Sequence, residues 1–148
     1  MTAWRVWSAS SADADVLAAL ESESFGRKSW GEKGVRASFT ASGVSILLAG
    51  ETPDAPRGFA LWRDLGEDAE LLTIGVAPAS RKAGLGRALL RAVITTARSG
   101  GAEKIYLEVD KKNEAALALY ERAGFRAIGV RKSYYRDGRD ATVMSCRL

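Results

Sequence analysis

The sequence contains no histidine and a single cysteine, Cys146, among its 148 residues. Without an imidazole, neither a Ser-His-Asp hydrolase, a Cys-His protease nor a histidine-built metal site can form, and one cysteine cannot make an internal disulfide. The chain has no apolar run that approaches the ~20 residues needed to cross a bilayer. Its N-terminus does not show the basic stretch followed by an apolar one that is typical of a signal peptide. We therefore expect a cytoplasmic protein with no metal site and no membrane association.

The length and composition fit one folded domain over residues 1–148. Apolar residues make up 47% of the chain and charged residues 27%, which is ordinary for a globular domain with its own core. The formal net charge of +4 suits an anionic ligand such as a nucleotide cofactor, and it would also suit nucleic acid. Because no run of Lys and Arg exceeds two residues, we expect no nucleic-acid partner.

Hydrophobic spacing predicts the order βααβββαβαββ. Strands are predicted at residues 4–7, 44–49, 59–63, 69–76, 104–110, 128–135 and 141–147, and helices at 11–24, 32–39, 85–99 and 113–123. The unit from residue 69 to residue 110 requires two parallel strands with a right-handed crossover. We therefore expect an α/β (α+β) fold, with a mixed, mostly antiparallel sheet of about seven strands and about four helices on its two faces.

A glycine-rich segment at residues 81–87 falls between a predicted strand and a predicted helix. Successive backbone N–H groups and the positive end of the helix can hold a phosphate there, and Gly84 and Gly86 let the backbone approach it closely. Positive charge is added by Arg81, Lys82 and Arg87. The segment lacks the third glycine of a Rossmann fingerprint and the Gly-Lys-Ser/Thr of a triphosphate loop. It predicts a site for a phosphate-bearing ligand, and a plain strand-to-helix turn is the alternative.

Glu108 lies near the carboxyl end of the next predicted strand. Alternation along residues 105–110 turns its side chain away from the aliphatic face of that strand. Ligand clefts form at the carboxyl ends of strands in α/β layers, and a carboxylate there can accept a proton from an amine, directly or through water. A glutamate that is simply solvated at the end of a strand is the alternative.

The predicted helix at residues 113–123 offers two further candidates. Asn113 is a good N-cap, and its side chain could instead hold the amide of a ligand. Tyr120 shares a helix face with Ala116 and Leu117, where a tyrosine usually packs in the core. Its functional alternative is a phenol that donates a proton to a leaving thiolate.

Two other features favour structural interpretations. Cys146 falls in an apolar terminal strand and is expected to pack there, because no histidine can activate it as a nucleophile. Four acidic residues are expected to form a solvated turn, although they could meet a basic peptide: Asp64, Glu67, Asp68 and Glu70.

Taken together, these segments resemble the core of the GNAT acetyltransferases. Residues 81–86 match the pattern Arg/Gln-x-x-Gly-x-Gly/Ala, and residues 70–145 are similar to the RimI-type ribosomal-protein alanine N-acetyltransferases. The similarity is carried by Gly-Leu-Gly-Arg-Ala-Leu-Leu at 84–90, Leu-Glu-Val at 107–109, Ala-Leu-Tyr-Glu at 118–121, Gly124-Phe125, and the run from Arg131 to Tyr135.

The resemblance implies a role for each matching residue. The acetyl-pantetheine arm of acetyl-CoA would be held, and its thioester carbonyl polarised, by backbone groups of Ile74, Gly75 and Val76. The pyrophosphate would be bound by Lys82, Ala83, Gly84, Leu85, Gly86 and Arg87, and the pantetheine portion by Asn113. Glu108 matches the proton acceptor of the family and Tyr120 its proton donor.

The resemblance also implies direct attack of an amine on the thioester in a ternary complex, with no acetyl-enzyme. An α-amino group, with an unperturbed pKa of ~8, loses its proton more readily than a lysine side chain at ~10.4. We therefore expect an acetyl-CoA-dependent N-acetyltransferase that acts on a protein N-terminus, with the alanine terminus of a small-subunit ribosomal protein as the favoured acceptor. A GNAT enzyme for a small amine or another protein, and a catalytically silent acetyl-CoA-binding module, are the alternatives.

Overall fold

The computed structural model describes residues 3–135 and 137–148. In this part of the chain, seven strands form one sheet in the order β1-β2-β3-β4-β5-β7-β6. The strands are β1 (Arg5–Ser8), β2 (Val44–Gly50), β3 (Pro56–Asp64), β4 (Asp68–Val76), β5 (Lys104–Asp110), β6 (Arg126–Arg131) and β7 (Ala141–Arg147). The helices are α1 (Ala14–Phe25), α2 (Gly31–Ser38), α3 (Leu85–Ser99) and α4 (Glu114–Arg122).

The helices cover both faces of the sheet. Leu17, Leu20 and Val35, from α1 and α2, pack with Leu48 and Phe59 on one face. On the other face, a larger cluster joins α3 and α4 to the sheet, with members that include Leu89, Val93, Ile105, Leu107, Tyr120 and Phe125. Because successive strand residues point to opposite faces, the alternating apolar residues of the central strands supply both cores.

Strands β4 and β5 are the one parallel pair in the described sheet, and they are joined only at their beginnings. Their register pairs Asp68–Leu71 with Lys104–Leu107, and the described residues show no β4–β5 pair beyond Leu71 and Leu107. On its other side β4 continues along β3, with a register shift that leaves Leu72 without an opposite residue. Such a bulge bends a strand. The carboxyl ends of β4 and β5 therefore part and leave a cleft between them.

The expected fold class is confirmed, and most predicted elements lie within a few residues of the observed ones. The prediction of a strand at residues 128–135 is wrong in its bounds, because β6 begins at Arg126 and ends at Arg131. Ser133 takes a positive φ of 51° and donates its backbone N–H to the Asp140 carboxylate. Those features turn the chain into a loop before Tyr134 and Tyr135. No helix in the described ranges combines the length and the apolar character that crossing a membrane requires.

Candidate active site

The end of β4 forms one wall of the cleft. Ile74, Gly75 and Val76 lie in its parted half and pair with β3 on the side away from β5. A Cβ atom on Gly75 would come within 2.4 Å of Cζ of Phe59. Only glycine fits at this position, and its absent side chain lets the Phe59 ring pack directly on the strand.

The segment between β4 and α3 has the backbone form of an anion site. Lys82 and Gly84 have positive φ values of 64° and 86°, and Gly84 is the N-cap of α3. The backbone N–H groups of residues 82–87 donate no hydrogen bond within the described chain. Leu85 is buried and fastens the loop to the core, while Gly86 leaves the nearest side-chain atom, on Leu119, 3.5 Å from the position of a Cβ. The loop can therefore present several N–H groups to a phosphate.

Arg81 is exposed beside the loop and hydrogen-bonds two backbone carbonyls. Its Nε donates to the Val76 carbonyl at 3.2 Å, and its Nη2 donates to the Ser24 carbonyl at 2.9 Å. The guanidinium thus ties the end of β4 to the last turn of α1, and the expectation that its charge serves a ligand stays a prediction. Lys82 and Arg87 remain exposed beside the loop.

The N-terminal segment also contacts the loop between β4 and α3. The indole Nε1 of Trp4 donates to the Ala83 carbonyl at 2.9 Å, although 79 positions separate the two residues in sequence. The same nitrogen lies 4.0 Å from the position that a Cβ on Gly84 would take. One of the loop carbonyls is thus occupied, and it is held facing Trp4.

Glu108 lies on β5 at the other wall of the cleft, on the sheet face opposite Leu107 and Val109. Its side chain is 17% exposed, and its Oε1 atom lies 3.1 Å from Nε of Arg131 on β6. Hydrogen bonding to the Glu108 carboxylate raises the pKa of Tyr134 above its usual value, with smaller contributions from burial and nearby charge. Glu108 is therefore set among polar side chains and is only partly solvated.

Tyr120 lies on α4, buried to 8% exposure, with its ring centroid 5.8 Å from that of Phe125. Burial and, secondarily, the charge of Tyr135 raise the pKa of Tyr120 to about 12. The phenol therefore holds its proton throughout the neutral range. Tyr120 packs in the core and also keeps a proton that it can donate. The interpretation as a core residue and the interpretation as a proton donor are therefore compatible.

Tyr135 connects the surroundings of Glu108 and Tyr120. The pKa of Tyr135 is raised to about 12, by burial first and then by the charges of Asp110, Tyr134 and Glu108. The charge of the same side chain also contributes to the raised pKa of Tyr120. Arg139 lies over its ring at 5.6 Å and forms an ion pair with Asp110 at the end of β5. The β6–β7 connection thus folds over the carboxyl end of β5.

Asn113 takes the first of its two predicted roles, the N-cap, and its role towards the cofactor stays a prediction. Its Oδ1 accepts the backbone N–H of Ala116 at 3.1 Å and caps α4. The amide NH₂ of Asn113 and the second lone pair of its Oδ1 remain for a ligand. Cys146 lies near Gly124 with a partly buried side chain, and burial raises the pKa of its thiol.

Comparisons with known proteins agree with this geometry. A family model described as acetyltransferase (GNAT) family matches residues 14–125. The chain belongs to this family. N-alpha-acetyltransferase RimI of Mycobacterium tuberculosis is 50% identical over 76 residues, which are 51% of this chain and 46% of that protein. In general, the chain spans about half the length of the curated relatives it matches.

Two solved structures extend the comparison. The ribosomal-protein-S18-alanine N-acetyltransferase of Escherichia coli superposes with a TM-score of 0.88 at 28% identity, over 98% of this chain and 94% of that chain. The PaiA N-acetyltransferase of Thermoplasma acidophilum, solved in complex with coenzyme A, gives a TM-score of 0.81 at 16% identity over 99% of both chains. The resemblance in the sequence to the GNAT family, and to its RimI-type members, is thereby confirmed.

In this GNAT chain, sequence reasoning missed the groups that surround Glu108. Arg131, Tyr134 and Tyr135 were noted only as part of a matching run, yet they lie within reach of the Glu108 carboxylate. Glu21 was overlooked altogether. Its signal was available, because it falls with Leu17 and Leu20 on the apolar face of a predicted helix, where a charged residue is unusual.

Proposed function

We propose that this chain transfers the acetyl group of acetyl-CoA to the N-terminal α-amino group of a protein, with the alanine terminus of a small-subunit ribosomal protein as the favoured acceptor. The observation that carries the proposal is the parting of β4 and β5 beyond Leu71 and Leu107. The cleft that results has an anion loop at the end of β4 and a half-buried carboxylate, Glu108, on β5. An acyl donor that carries phosphate groups needs an anion-binding loop, and an amine acceptor needs a nearby carboxylate to take its proton.

The residues present fit acetyl-CoA. The N–H groups of residues 82–87, which donate to no described residue, and the start of α3 suit a pyrophosphate, and Lys82 and Arg87 are exposed beside them. Backbone groups of residues 74–76 in the parted half of β4 would hold the acetyl-pantetheine arm, and the Asn113 amide would donate to the pantetheine portion. When bound, acetyl-CoA supplies an activated acetyl thioester.

Two side chains of this chain would move protons. Glu108 would accept a proton from the acceptor ammonium, directly or through a water molecule. The Tyr120 phenol, whose pKa of about 12 leaves it protonated, would donate a proton to the sulfur as the thiolate leaves. Neither role requires a histidine, and the amine attacks the acetyl carbon without a covalent enzyme intermediate.

The acceptor assignment rests on the relatives and on proton chemistry. Members of the family that are similar to this chain are named for the α-amino group or for the alanine of ribosomal protein S18. An α-amino group, with a pKa of ~8, is neutral far more often near pH 7 than a lysine at ~10.4. The proposed reaction takes place in the cytoplasm, where ribosomal proteins are made.

A panel of acceptors tests this function. The purified protein is incubated with acetyl-CoA and a basic peptide that begins with alanine, the same peptide with a blocked N-terminus and an internal lysine, or spermidine. Tandem mass spectrometry should locate the acetyl group on the α-amino nitrogen of the first peptide. Equal or faster turnover of spermidine, or of the blocked peptide, would contradict an N-terminal acceptor.

Two glutamate variants provide the control for this panel. Glu108→Gln should reduce turnover of the alanine peptide about a hundredfold, because an amide cannot take the proton. Glu103→Gln removes a charge from an exposed position just before β5 and should leave turnover unchanged. If the two variants behave alike, Glu108 is not the base.

A further inference from the structure

Arg131 and Glu108 form an ion pair that reaches across one strand of the sheet. Nε of Arg131 on β6 lies 3.1 Å from Oε1 of Glu108 on β5, and β7 runs between these two strands. The Glu108 side chain is 17% exposed, whereas the Arg131 side chain is 60% exposed. A cation at the surface is therefore paired with a carboxylate that is mostly removed from water.

The register of the strands brings Arg131 to the same face of the sheet as Glu108. Ala141 on β7 pairs with Asp110 on one side and with Arg131 on the other, so these three residues point to one face. Glu108 lies two positions before Asp110 on β5 and points the same way. The side chain of Ala141 is a single methyl group, so a long side chain can cross β7 above it.

The carboxylate directly in line with Arg131 already has another partner. Asp110 forms an ion pair with Arg139 from the β6–β7 connection. Arg131 pairs diagonally with Glu108 instead. Two arginines thus serve two carboxylates near the end of β5, and Arg131 is the partner of the carboxylate that we propose as the base.

Tyr134 completes the group around Glu108. The centre of its ring lies 5.9 Å from the guanidinium carbon of Arg131. The pKa of Tyr134 is raised first by a hydrogen bond with the Glu108 carboxylate, then by burial and by the charge of Glu108; the Arg131 charge lowers it, and that of Glu70 raises it. Arg131 is therefore a neighbour of both the carboxylate and the phenol.

The position of a carboxylate decides whether it can act as a base. A glutamate side chain can settle in several rotamers, and only some of them bring an oxygen within hydrogen-bond reach of the proton to be taken. A displacement of about 1 Å can cost a hundredfold in rate. An ion pair that favours one rotamer of Glu108 would therefore act on the rate of the chemical step.

We propose that Arg131 is a positioning residue, and that its guanidinium holds the Glu108 carboxylate in the orientation that accepts the proton of the amine. This inference rests on the proposed acetyl transfer to an amine. Arg131 acts through Glu108, and the proposal assigns it no contact with acetyl-CoA or with the acceptor.

Arg131→Gln tests the proposal, because it keeps a long polar side chain and removes the charge that pairs with Glu108. With saturating acetyl-CoA, kcat for the alanine peptide should fall about tenfold, while the KM of the peptide should change by less than about a factor of two. Arg131→Lys, which can still form an ion pair, should recover most of kcat. Arg126→Gln removes a charge from the exposed start of β6 and should change neither constant.

A double variant shows whether Arg131 acts through Glu108. In a protein that already carries Glu108→Gln, the change Arg131→Gln should alter kcat by less than about a factor of two, because the base is no longer there to be positioned. Effects of the two changes that multiply would mean that Arg131 acts independently of Glu108, and they would overturn the proposal.

The titration of Tyr134 provides a readout that does not depend on activity. In protein that is isotope-labelled at the tyrosine Cζ atoms, Tyr134→Phe identifies the Tyr134 signal in the NMR spectrum. Arg131→Gln should raise the pKa of Tyr134 further, and Glu108→Gln should lower it, because each change removes the charge that acts in the opposite direction. An unchanged pKa of Tyr134 in Arg131→Gln would show that the guanidinium does not lie beside this group in solution, and the proposal would fall.

The remaining outcomes separate this proposal from the proposed function. An active wild type combined with an unchanged kcat in Arg131→Gln, or with a raised KM alone, would overturn the role of Arg131 and leave the proposed function standing. A wild type that acetylates spermidine but no peptide would refute the proposed acceptor, and kcat for spermidine would then test Arg131 in the same variants. A wild type that acetylates no amine would refute both.

Discussion

Tyr120 holds its proton far into the alkaline range because it is buried beside Phe125 and near Tyr135. A general acid must be protonated when the leaving group departs, and a pKa of about 12 satisfies that condition at any physiological pH. The same burial makes the residue part of the core. We propose that activity depends on this phenol as well as stability, and pH separates the two contributions.

Tyr120→Phe should lower kcat by about tenfold to a hundredfold and leave the Kd of acetyl-CoA nearly unchanged. Its effect on stability should depend on pH. The pKa is about 12 in the folded protein and 10.0 in the unfolded chain, so the contribution is complete below pH 10 and is lost as pH rises towards 12. The stability advantage of the wild type over Tyr120→Phe should shrink by about 2 kcal/mol between pH 9 and pH 12, measured by urea unfolding.

A difference that stays constant over this pH range would show that Tyr120 titrates alike in the folded and unfolded states. Unchanged turnover in Tyr120→Phe, in turn, would limit the residue to its place in the core.

At the scale of residues, the sequence did not predict contacts between side chains and partners that are distant along the chain. Arg81 follows a strand and precedes two glycines, which suggests a phosphate ligand, yet its partners are the carbonyls of Val76 and Ser24. Ser24 is 57 positions away. Glu108 and Tyr120 could be singled out as candidates because strand alternation and helix periodicity are local signals, and their catalytic roles stay predictions. Their neighbours from the β6–β7 connection could not be found, because that loop folds back over β5.

At the scale of elements, the decisive feature is the turn from β4 into α3. Two residues in the left-handed region, Lys82 and Gly84, let the backbone reverse while its N–H groups donate to no acceptor in the described ranges. Gly84 caps the helix, and the Cβ position lies 4.0 Å from the indole nitrogen of Trp4. A side chain there would carry a strain of about 1 kcal/mol and would also stand in front of the N–H groups.

Gly84→Ala and Gly101→Ala form a matched pair that separates these two effects. Gly101 has a φ of 96° with nothing within 4 Å of its Cβ position, so its alanine variant carries the backbone strain alone. Both variants should lose about 1 kcal/mol of unfolding free energy. Only Gly84→Ala should raise the Kd of acetyl-CoA, by about tenfold, in a calorimetric titration. Equal affinity of the two variants for acetyl-CoA would show that the loop is not part of the cofactor site.

The parallel unit of β4, α3 and β5 could be predicted because its signals are contiguous along the chain. Residues 69–76 and 104–110 are apolar or alternating runs, and Gly100 stops the helix between them. The bulge at Leu72 has no comparable signal. It arises from the register with β3, so the cleft itself became visible only when the pairing of the strands was known.

For the whole molecule, the net charge of +4 would attract the polyanionic cofactor that we propose. Lys82 and Arg87 lie in the segment between β4 and the first turn of α3. Acidic residues such as Glu67 lie at the β3–β4 turn, towards the opposite end of β4. The surface is thus basic where the cofactor is proposed to enter. Much of this attraction is long-range, so it should respond to ionic strength.

Raising sodium chloride from about 50 mM to about 500 mM should weaken acetyl-CoA binding by about tenfold, because the exposed charges become screened. Lys82→Gln should bind more weakly at low salt and show a shallower salt dependence. Lys104→Gln removes the same charge at the start of β5, far from the loop along the strand, and should keep the wild-type slope. Identical slopes in all three proteins would mean that Lys82 does not face the phosphates.

The hydrogen bond from Trp4 to Ala83 has an optical consequence. The indole nitrogen lies 4.0 Å from the Cβ position of Gly84, so phosphate charge arriving at the loop changes the electric field across the ring. Indole emission is sensitive to such a field in both wavelength and intensity. If the cofactor binds at the loop as proposed, stopped-flow emission, compared between wild type and Trp4→Phe, would time its arrival without a label.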